Sequence, residues 1–280
     1  MEIKIPEVTL NDGLTLPVMG FGTYPLKGNA GVNAIVGAIN NGYRLIDSAY
    51  NYENEGTVGE AVRRSSVPRH ELLITSKLPG RYQDYDKAVA TIQESLYRAN
   101  LDYYDLYLIH WPNPNQDKYV EAWQALIDAK KWGLIRSIGV CNFLPEHLDR
   151  LEKETCVKPS INQIELHPFF NQAEQRKYHE EKNIATESWS PFTRGFKDLE
   201  IDTLQTIATH HNKTIPQIVL RWHYQLGAIS IPKSASPLHQ VENISIFNFS
   251  LDDSEMAMIS ALSRPDGRIA NQDPAVYEEF

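Results

Sequence analysis

Strand-like and helix-like segments alternate along this sequence eight times, and that alternation limits the possible folds more than any other feature. Strands are predicted at 18–22, 44–49, 72–78, 104–110, 135–142, 161–166, 184–190 and 228–232. Most of them are near-continuous apolar runs, which is typical of parallel strands covered by helices. Because eight such units are enough to close a sheet on itself, the pattern favours a single (β/α)8 barrel over residues 1–280.

The segments between the strands have the periodicity of amphipathic helices. Helices are predicted at 31–41, 56–65, 89–99, 120–127, 145–154, 172–182, 202–212 and 216–226, with extra C-terminal helices near 236–244 and 252–262. Before the barrel, alternation around Asp12-Gly13 predicts a hairpin with a two-residue turn. An open doubly wound sheet is the alternative fold. It would need a GxGxxG turn after the first strand, where only Gly20 and Gly22 are in place.

Composition excludes several classes of protein. Hydrophobic residues make up 42% of the 280 residues, so the chain can bury a full core, and the net charge of −9 argues against nucleic acid or anionic lipid as a partner. The two cysteines, Cys141 and Cys156, provide no disulfide framework. Neither a signal peptide nor a long apolar span is visible, so we expect a cytoplasmic protein that does not enter membranes.

Polar residues follow three consecutive predicted strands at the point where each strand ends. Asp47 ends the second strand, Lys77 the third and His110 the fourth, while Tyr52 lies in the loop after Asp47. Each residue alone has an ordinary structural explanation, such as helix capping, a solvated charge or rim packing. In a barrel, however, all four would meet at the C-terminal mouth, where enzymes of this fold keep their chemistry.

Such a group of residues is suited to the reduction of a carbonyl group. Hydride addition creates an alkoxide that needs a proton, and a phenol with its usual pKa of about 10 is a poor donor near neutral pH. An ammonium held by a buried carboxylate would lower that pKa, and Lys77 with Asp47 could supply this pair for Tyr52. A neutral His110 would orient the carbonyl oxygen towards Tyr52.

At these positions the sequence resembles the aldo-keto reductase family. The motif GYRLIDSAYNYENEGTVGEAV at 42–62 is similar to the family's most recognisable segment, SKL at 76–78 to its lysine motif and LIHWP at 108–112 to its histidine motif. Later segments match in the same order: SIGVCNF at 137–143, NQIELHP at 162–168, SWSP at 188–191 and IPKS at 231–234. The resemblance covers nearly the whole chain and is closest to short bacterial reductases related to 2,5-diketo-D-gluconate reductase.

The resemblance implies a role for each matching residue. The catalytic tetrad would be Asp47, Tyr52, Lys77 and His110, and the cofactor would be NADPH, with NADH as a weaker alternative. The residues implied in cofactor binding are Asn142 and Gln163 at the nicotinamide amide, Trp189 stacked on its ring, Ser190 and Phe192 along the pyrophosphate, Lys233, Ser234 and His239 at the 2′-phosphate, and Asn243 near the adenine, together with Asp47. The implied substrate contacts are Tyr24, Pro79, His110 and Trp111, and we expect a monomer acting on small molecules.

Two positions depart from the family's usual pattern. Cys141 stands where relatives usually carry serine, and a thiol is a weaker hydrogen-bonding group. His239 stands where many NADPH-preferring relatives carry arginine, and a histidine is mostly neutral at pH 7. We therefore predict a modest preference for NADPH over NADH.

Short loops at the mouth predict small, varied carbonyl substrates, since only about eight residues separate His110 from the next helix. Other functions stay open at this stage. Lys77 could form a Schiff base, as in an aldolase. A metal hydrolase is less favoured, because His110 and His167 lack HxH or HExxH spacing. Finally, some proteins of this fold serve as cofactor-sensing or lens structural proteins, which the intact tetrad argues against.

Overall fold

The computed structural model describes residues 4–193 and 195–280, and these contain every predicted strand and helix. The strands are β1 (Glu7–Thr9), β2 (Thr15–Pro17), β3 (Phe21–Gly22), β4 (Leu45–Asp47), β5 (Leu73–Leu78), β6 (Tyr104–Ile109), β7 (Ile135–Cys141), β8 (Ile161–Glu165), β9 (Ala185–Trp189) and β10 (Ala228–Ser230). The helices are α1 (Gly28–Asn40), α2 (Glu55–Arg64), α3 (Tyr85–Ala99), α4 (Tyr119–Lys131), α5 (Pro145–Thr155), α6 (Ala173–Lys182), α7 (Asp202–His211), α8 (Ile215–Gln225), α9 (Pro237–Ile244) and α10 (Asp253–Ser260).

The strands β3 to β10 form one parallel sheet in the order in which they occur along the chain. Its two edges meet, because Gly20 N–H donates to the carbonyl of Ser230 at 2.8 Å and Ser230 N–H donates to that of Val18 at 3.2 Å. A parallel bridge between Met19 and Ser230 lies at the same seam. The predicted barrel is therefore confirmed, and the open doubly wound sheet is excluded.

A small apolar cluster fills the lower part of the barrel interior. Its members are Leu45, Leu106, Leu108, Cys141, Ile161 and Ile229 from the strands and Leu10, Leu14 and Leu16 from the N-terminal hairpin. Because the hairpin leucines belong to the same cluster, the hairpin closes the bottom of the barrel. A larger apolar layer lies between the sheet and the surrounding helices.

The turn of the hairpin is longer than predicted. Gly13 N–H donates to the carbonyl of Leu10, and Leu10 N–H donates to that of Leu14, so three residues rather than two separate the paired ends. Gly13 has a φ of 93°, a value that favours glycine. The prediction of a two-residue turn was wrong, because Asp12 and Gly13 lie in a three-residue loop that ends at this glycine.

Helix ends follow their sequence signals. Thr214 and Gln217 form a reciprocal capping box at the start of α8, with Pro216 in the first turn, and Asp252 and Glu255 form another at α10. Two helices, α7 and α8, lie between β9 and β10, so the barrel carries one insertion there in addition to the C-terminal α10. No helix in the described part of the chain is long and apolar enough to span a membrane.

Candidate active site

Three adjacent strands bring the predicted tetrad together at the mouth of the barrel. Asp47 is the last residue of β4, Lys77 lies next to the last residue of β5, and His110 directly follows β6. Tyr52 belongs to a short 3-10 helix, Tyr50–Tyr52, in the loop after β4. The Lys77 Nζ atom lies 5.0 Å from the centre of the Tyr52 ring, and the ring centres of Tyr52 and His110 are 5.8 Å apart.

Lys77 is completely buried, and all three of its N–H groups have acceptors. It donates to both carboxylate oxygens of Asp47, at 2.6 and 2.8 Å, and to the carbonyl of Ser48 at 2.8 Å. Burial alone would lower the pKa of Lys77, but Asp47 and Tyr52 raise it, and the result is a pKa above its usual value. The side chain is therefore a fixed, fully coordinated ammonium ion.

The pKa of Tyr52 differs from the sequence-based expectation. Burial raises it to about 12, the Lys77 ammonium acts to lower it, and the Asp47 carboxylate acts to raise it. We expected the lysine pair to bring this pKa below 10. That expectation was wrong for the protein alone, because desolvation of the phenolate outweighs the charge of Lys77, which Asp47 largely neutralises.

A second carboxyl group lies inside the barrel and was not predicted. The side-chain nitrogen of Gln163 donates to Asp47 at 3.0 Å and to Glu187, on β9, at 2.6 Å. Burial, followed by the charge of Asp47, raises the pKa of Glu187 above its usual value. The available signal was the glutamate in the middle of the predicted strand IATESWS, because protein cores rarely bury a glutamate that has no partner.

Glu279 contacts His110 and was also not predicted. Its Oε1 atom lies 2.7 Å from Nδ1 of His110, although this contact is not aligned as a hydrogen bond. Asn51 donates to the same oxygen at 2.7 Å, and Gly80 N–H donates to the other oxygen at 2.9 Å. Although burial opposes ionisation, these partners hold the pKa of Glu279 below its usual value. Because 169 residues separate His110 from Glu279 in the sequence, no local pattern could have predicted this contact.

The segment that carries Glu279 packs along the rim of the mouth. Asn113 donates to the carbonyl of Glu279 at 2.9 Å and accepts from its N–H at 3.1 Å. The rings of Tyr277 and Trp111 are 4.5 Å apart, and Glu278 accepts from Asn115 N–H. This segment therefore forms one wall of the site.

A cavity of about 830 Å³ opens at the mouth above the tetrad. The predicted residues that line it are Tyr24, Asp47, Tyr52, His110, Trp111, Asn142, Gln163, Trp189, Ser190, Phe192 and Lys233. Pro79 is not among its lining residues. It is buried and begins the 3-10 helix Gly80–Tyr82, so its predicted contact with substrate is not supported by this position.

A second cavity, of about 680 Å³, lies beside α9. It is lined by the four residues predicted for the adenosine end of the cofactor, Lys233, Ser234, His239 and Asn243. Lys233 also lines the first cavity, so the two adjoin at this side chain. Together they form an elongated track from the barrel mouth to the start of α9, which fits an extended dinucleotide.

At the wall of the first cavity, the ends of β7 and β9 are linked by a side-chain hydrogen bond. The indole N–H of Trp189 donates to Oδ1 of Asn142 at 2.8 Å, and Nδ2 of Asn142 donates to the carbonyl of His110 at 3.0 Å. Asn142 and Ser190 both have positive φ values, 62° and 51°, so the chain turns sharply where these strands end. This arrangement holds the Trp189 ring at the edge of the cavity.

Cys141 does not line either cavity. It is fully buried in the apolar cluster inside the barrel, and burial raises the pKa of its thiol well above the usual value. The thiol therefore acts as a small apolar side chain at this position, and the unusual residue leaves the cavity wall unchanged.

Comparisons with known proteins agree with this geometry. The chain is 50% identical over 277 residues to 2,5-diketo-D-gluconic acid reductase B of a Corynebacterium species, covering 99% of both chains. It is 43% identical to methylglyoxal reductase DkgA of Yersinia pestis, covering 97% of each. A variant of Gox0644 solved in complex with NADPH has a TM-score of 0.93 and 40% identity, covering 98% of this chain and 99% of that one.

A family model also matches the chain. The model described as the aldo/keto reductase family matches residues 18–264, which include the whole parallel sheet and all ten described helices. The chain is therefore an oxidoreductase that belongs to the aldo/keto reductase family.

Proposed function

We propose that this protein uses NADPH to reduce small aldehydes and ketones to alcohols, with Tyr52 as the general acid. The observation that carries the proposal is the position of Tyr52 at the cavity wall, where its ring centre lies 5.0 Å from the Lys77 ammonium group, which the buried Asp47 carboxylate neutralises. A proton donor of this kind is what a developing alkoxide requires.

Each residue of the tetrad has one task in this mechanism. Tyr52 donates its proton to the carbonyl oxygen as hydride addition turns the carbonyl group into an alkoxide. Lys77 favours the resulting phenolate, and Asp47 fixes Lys77 through two hydrogen bonds. His110 holds the carbonyl oxygen close to Tyr52. The bound cofactor supplies the hydride.

The track of two cavities supports the choice of cofactor. Gln163 uses both of its N–H groups on Asp47 and Glu187, so its amide oxygen is the group that would accept a hydrogen bond from the nicotinamide carboxamide. Trp189, held by Asn142, would pack against the nicotinamide ring. At the other end, Lys233 and Ser234 would bind the 2′-phosphate near the N-terminus of α9, where backbone N–H groups also favour an anion.

Substrates are expected to be small, because the loop between His110 and α4 is short and the segment carrying Tyr277 narrows the mouth. Two similar proteins are named for a diketo sugar acid and for methylglyoxal. Steady-state consumption of NADPH and NADH, measured with methylglyoxal, simple aldehydes, sugars and diketo acids, tests the proposal. Absence of turnover with every carbonyl tested would contradict it.

We expect His239→Arg to tighten NADPH binding by about tenfold and to leave NADH binding nearly unchanged. His239 is exposed in the first turn of α9 and lines the same cavity as Lys233. An arginine there would add a permanent charge and a two-pronged contact to the 2′-phosphate, and a charge-assisted hydrogen bond contributes about 1.5–3 kcal/mol. Quenching of tryptophan fluorescence at pH 8 would measure both dissociation constants.

Leu238→Arg is the matched control for this change. Leu238 is the neighbouring residue, 81% exposed, and it does not line the cavity. An arginine at position 238 adds the same charge without reaching the phosphate, so the affinity for NADPH should change little. Equal affinities of wild type and His239→Arg for NADPH would show that His239 does not face the 2′-phosphate.

We expect Glu279→Gln to lower kcat/KM for an aldehyde by about tenfold, a loss of about 1.4 kcal/mol in transition-state binding. Glutamine cannot accept from both Asn51 and Gly80 and offers no charge to Nδ1 of His110, so the imidazole loses its fixed orientation. Affinity for NADPH should stay the same, because Glu279 lies on the substrate side of the mouth. Steady-state kinetics with a fluorescence titration of NADPH would separate the two effects.

Glu278→Gln is the control for this second change. Glu278 lies in the same segment but bonds to Asn115 and Gln116 at the surface. The Glu278→Gln variant should retain wild-type kinetics. If both variants lose the same activity, the segment acts only as packing and Glu279 does not position His110.

A further inference from the structure

Two histidines and a glutamate converge on the outside of the barrel, away from the mouth. His210 and His211 end α7, and Glu255 lies in the first turn of α10. The Nδ1 atom of His210 is 2.8 Å from Oε1 of Glu255, and Nε2 of His211 is 2.8 Å from its other oxygen, Oε2. One nitrogen of each ring and a carboxylate oxygen lie within 4.8 Å of one another.

This donor set suits a borderline-soft divalent cation. Imidazole nitrogen and carboxylate oxygen both bind zinc at about 2.0–2.2 Å, with water completing a tetrahedron. Ligand atoms around such an ion stand roughly 3.3 Å apart. The two nitrogen-to-oxygen separations of 2.8 Å would need to open by about 0.5 Å, and the widest separation among the three ligand atoms, up to 4.8 Å, would need to close by up to about 1.5 Å.

The carboxylate at the centre of the cluster is held in place by its own helix. Asp252 N–H donates to Oε2 of Glu255 at 3.0 Å, and Glu255 N–H donates to Asp252 at 2.8 Å, which closes the capping box of α10. Glu255 is buried, and the His211 ring packs 5.3 Å from that of Phe249.

We propose that His210, His211 and Glu255 bind one zinc-type divalent ion that clamps α7 to α10. Two of the three ligands are consecutive in the sequence, and the third comes from a helix 44 residues later, so the ion would join two separate elements of the fold. Two and three residues after His211, Lys213 and Thr214 line the cavity beside α9. The clamp would therefore steady one wall of that cavity without supplying a group to the reaction.

Zinc titration of chelator-stripped full-length protein tests this proposal. We expect the wild type to bind one equivalent of zinc. Glu255→Gln and His211→Asn should each bind it at least about tenfold more weakly. Glutamine is a good partner in a capping box, so Glu255→Gln keeps the helix start while removing the anionic ligand. His70→Asn, which removes an exposed histidine elsewhere, should bind zinc as the wild type does.

Thermal unfolding gives an independent measurement. Zinc should raise the melting temperature of the wild type and of His70→Asn, because a ligand that binds only the folded state stabilises it. Zinc should raise the melting temperature of His211→Asn much less. Without metal, the variants should melt close to the metal-free wild type. If wild type and Glu255→Gln bind the same number of zinc ions with the same affinity, or if neither binds zinc, the cluster is only a hydrogen-bonded helix junction.

Discussion

Replacement of Tyr52 by phenylalanine is expected to abolish nearly all carbonyl reduction while leaving NADPH binding intact. Phenylalanine keeps the ring that packs near Tyr24 and His110, at 5.0 and 5.8 Å between ring centres, and removes only the hydroxyl. General acid catalysis typically contributes about 10²–10⁴-fold, and kcat should fall by that factor. Single-turnover measurements at saturating NADPH would isolate the chemical step from cofactor release.

Tyr97→Phe is the control for the loss of a hydroxyl group. Tyr97 lies on α3 with 77% of its surface exposed, far from the mouth, and its variant should keep wild-type kinetics. A Tyr52→Phe enzyme that reduces aldehydes close to the wild-type rate would exclude Tyr52 as the proton donor. A large loss of NADPH affinity would instead mean that the hydroxyl has a binding role.

The sequence was sufficient to predict the barrel and the convergence of Asp47, Tyr52, Lys77 and His110 at its mouth, for a shared physical reason. Three consecutive parallel strands are buried apolar runs with a polar residue at or next to the end, as in RLID and LYLIH, and the ends of parallel strands meet on one side of a closed sheet. The runs of apolar residues, and the positions of Asp47, Lys77 and His110 at or near the ends of these runs, therefore predict where the three side chains lie. The prediction did not depend on knowing any contact between distant residues.

Contacts between distant residues are the part that the sequence could not predict. Glu279 reaches His110 across the rim, and Glu187 reaches Asp47 only through Gln163, so neither pairing follows from spacing. The pKa of Tyr52 is a further example, since its direction depends on how desolvation balances the charges of Lys77 and Asp47. The balance of these terms is set by burial, which becomes measurable only once the fold is known.

Replacement of Lys77 by methionine is expected to lower kcat by at least about 10²-fold and to raise the pKa of Tyr52 above its present value of about 12. The ammonium charge acts to lower this pKa, so without it the phenol becomes a weaker acid. Oxidation of an alcohol requires the phenolate, and the rise in that rate with pH should therefore shift to higher pH. Rate–pH profiles in both directions would measure the shift.

This variant should also be less stable than the wild type. Removal of Lys77 leaves the Asp47 carboxylate buried, with Gln163 as its remaining hydrogen-bond donor among the contacts described. Such an uncompensated charge typically costs about 3–5 kcal/mol of unfolding free energy. The double change Asp47→Asn with Lys77→Met removes both charges and should recover much of that stability without recovering activity.

The same variants separate reduction from the aldolase alternative. A Schiff base requires a neutral amine, whereas Lys77 is held as an ammonium ion by Asp47 and the Ser48 carbonyl, with its pKa raised. Borohydride added with a carbonyl substrate should therefore leave no covalent adduct on Lys77 in the wild type. Trapping of substrate on Lys77, or a Lys77→Met enzyme with unchanged rate and pH profile, would exclude the role given to this residue, because both results are incompatible with a lysine that acts only through its charge on Tyr52.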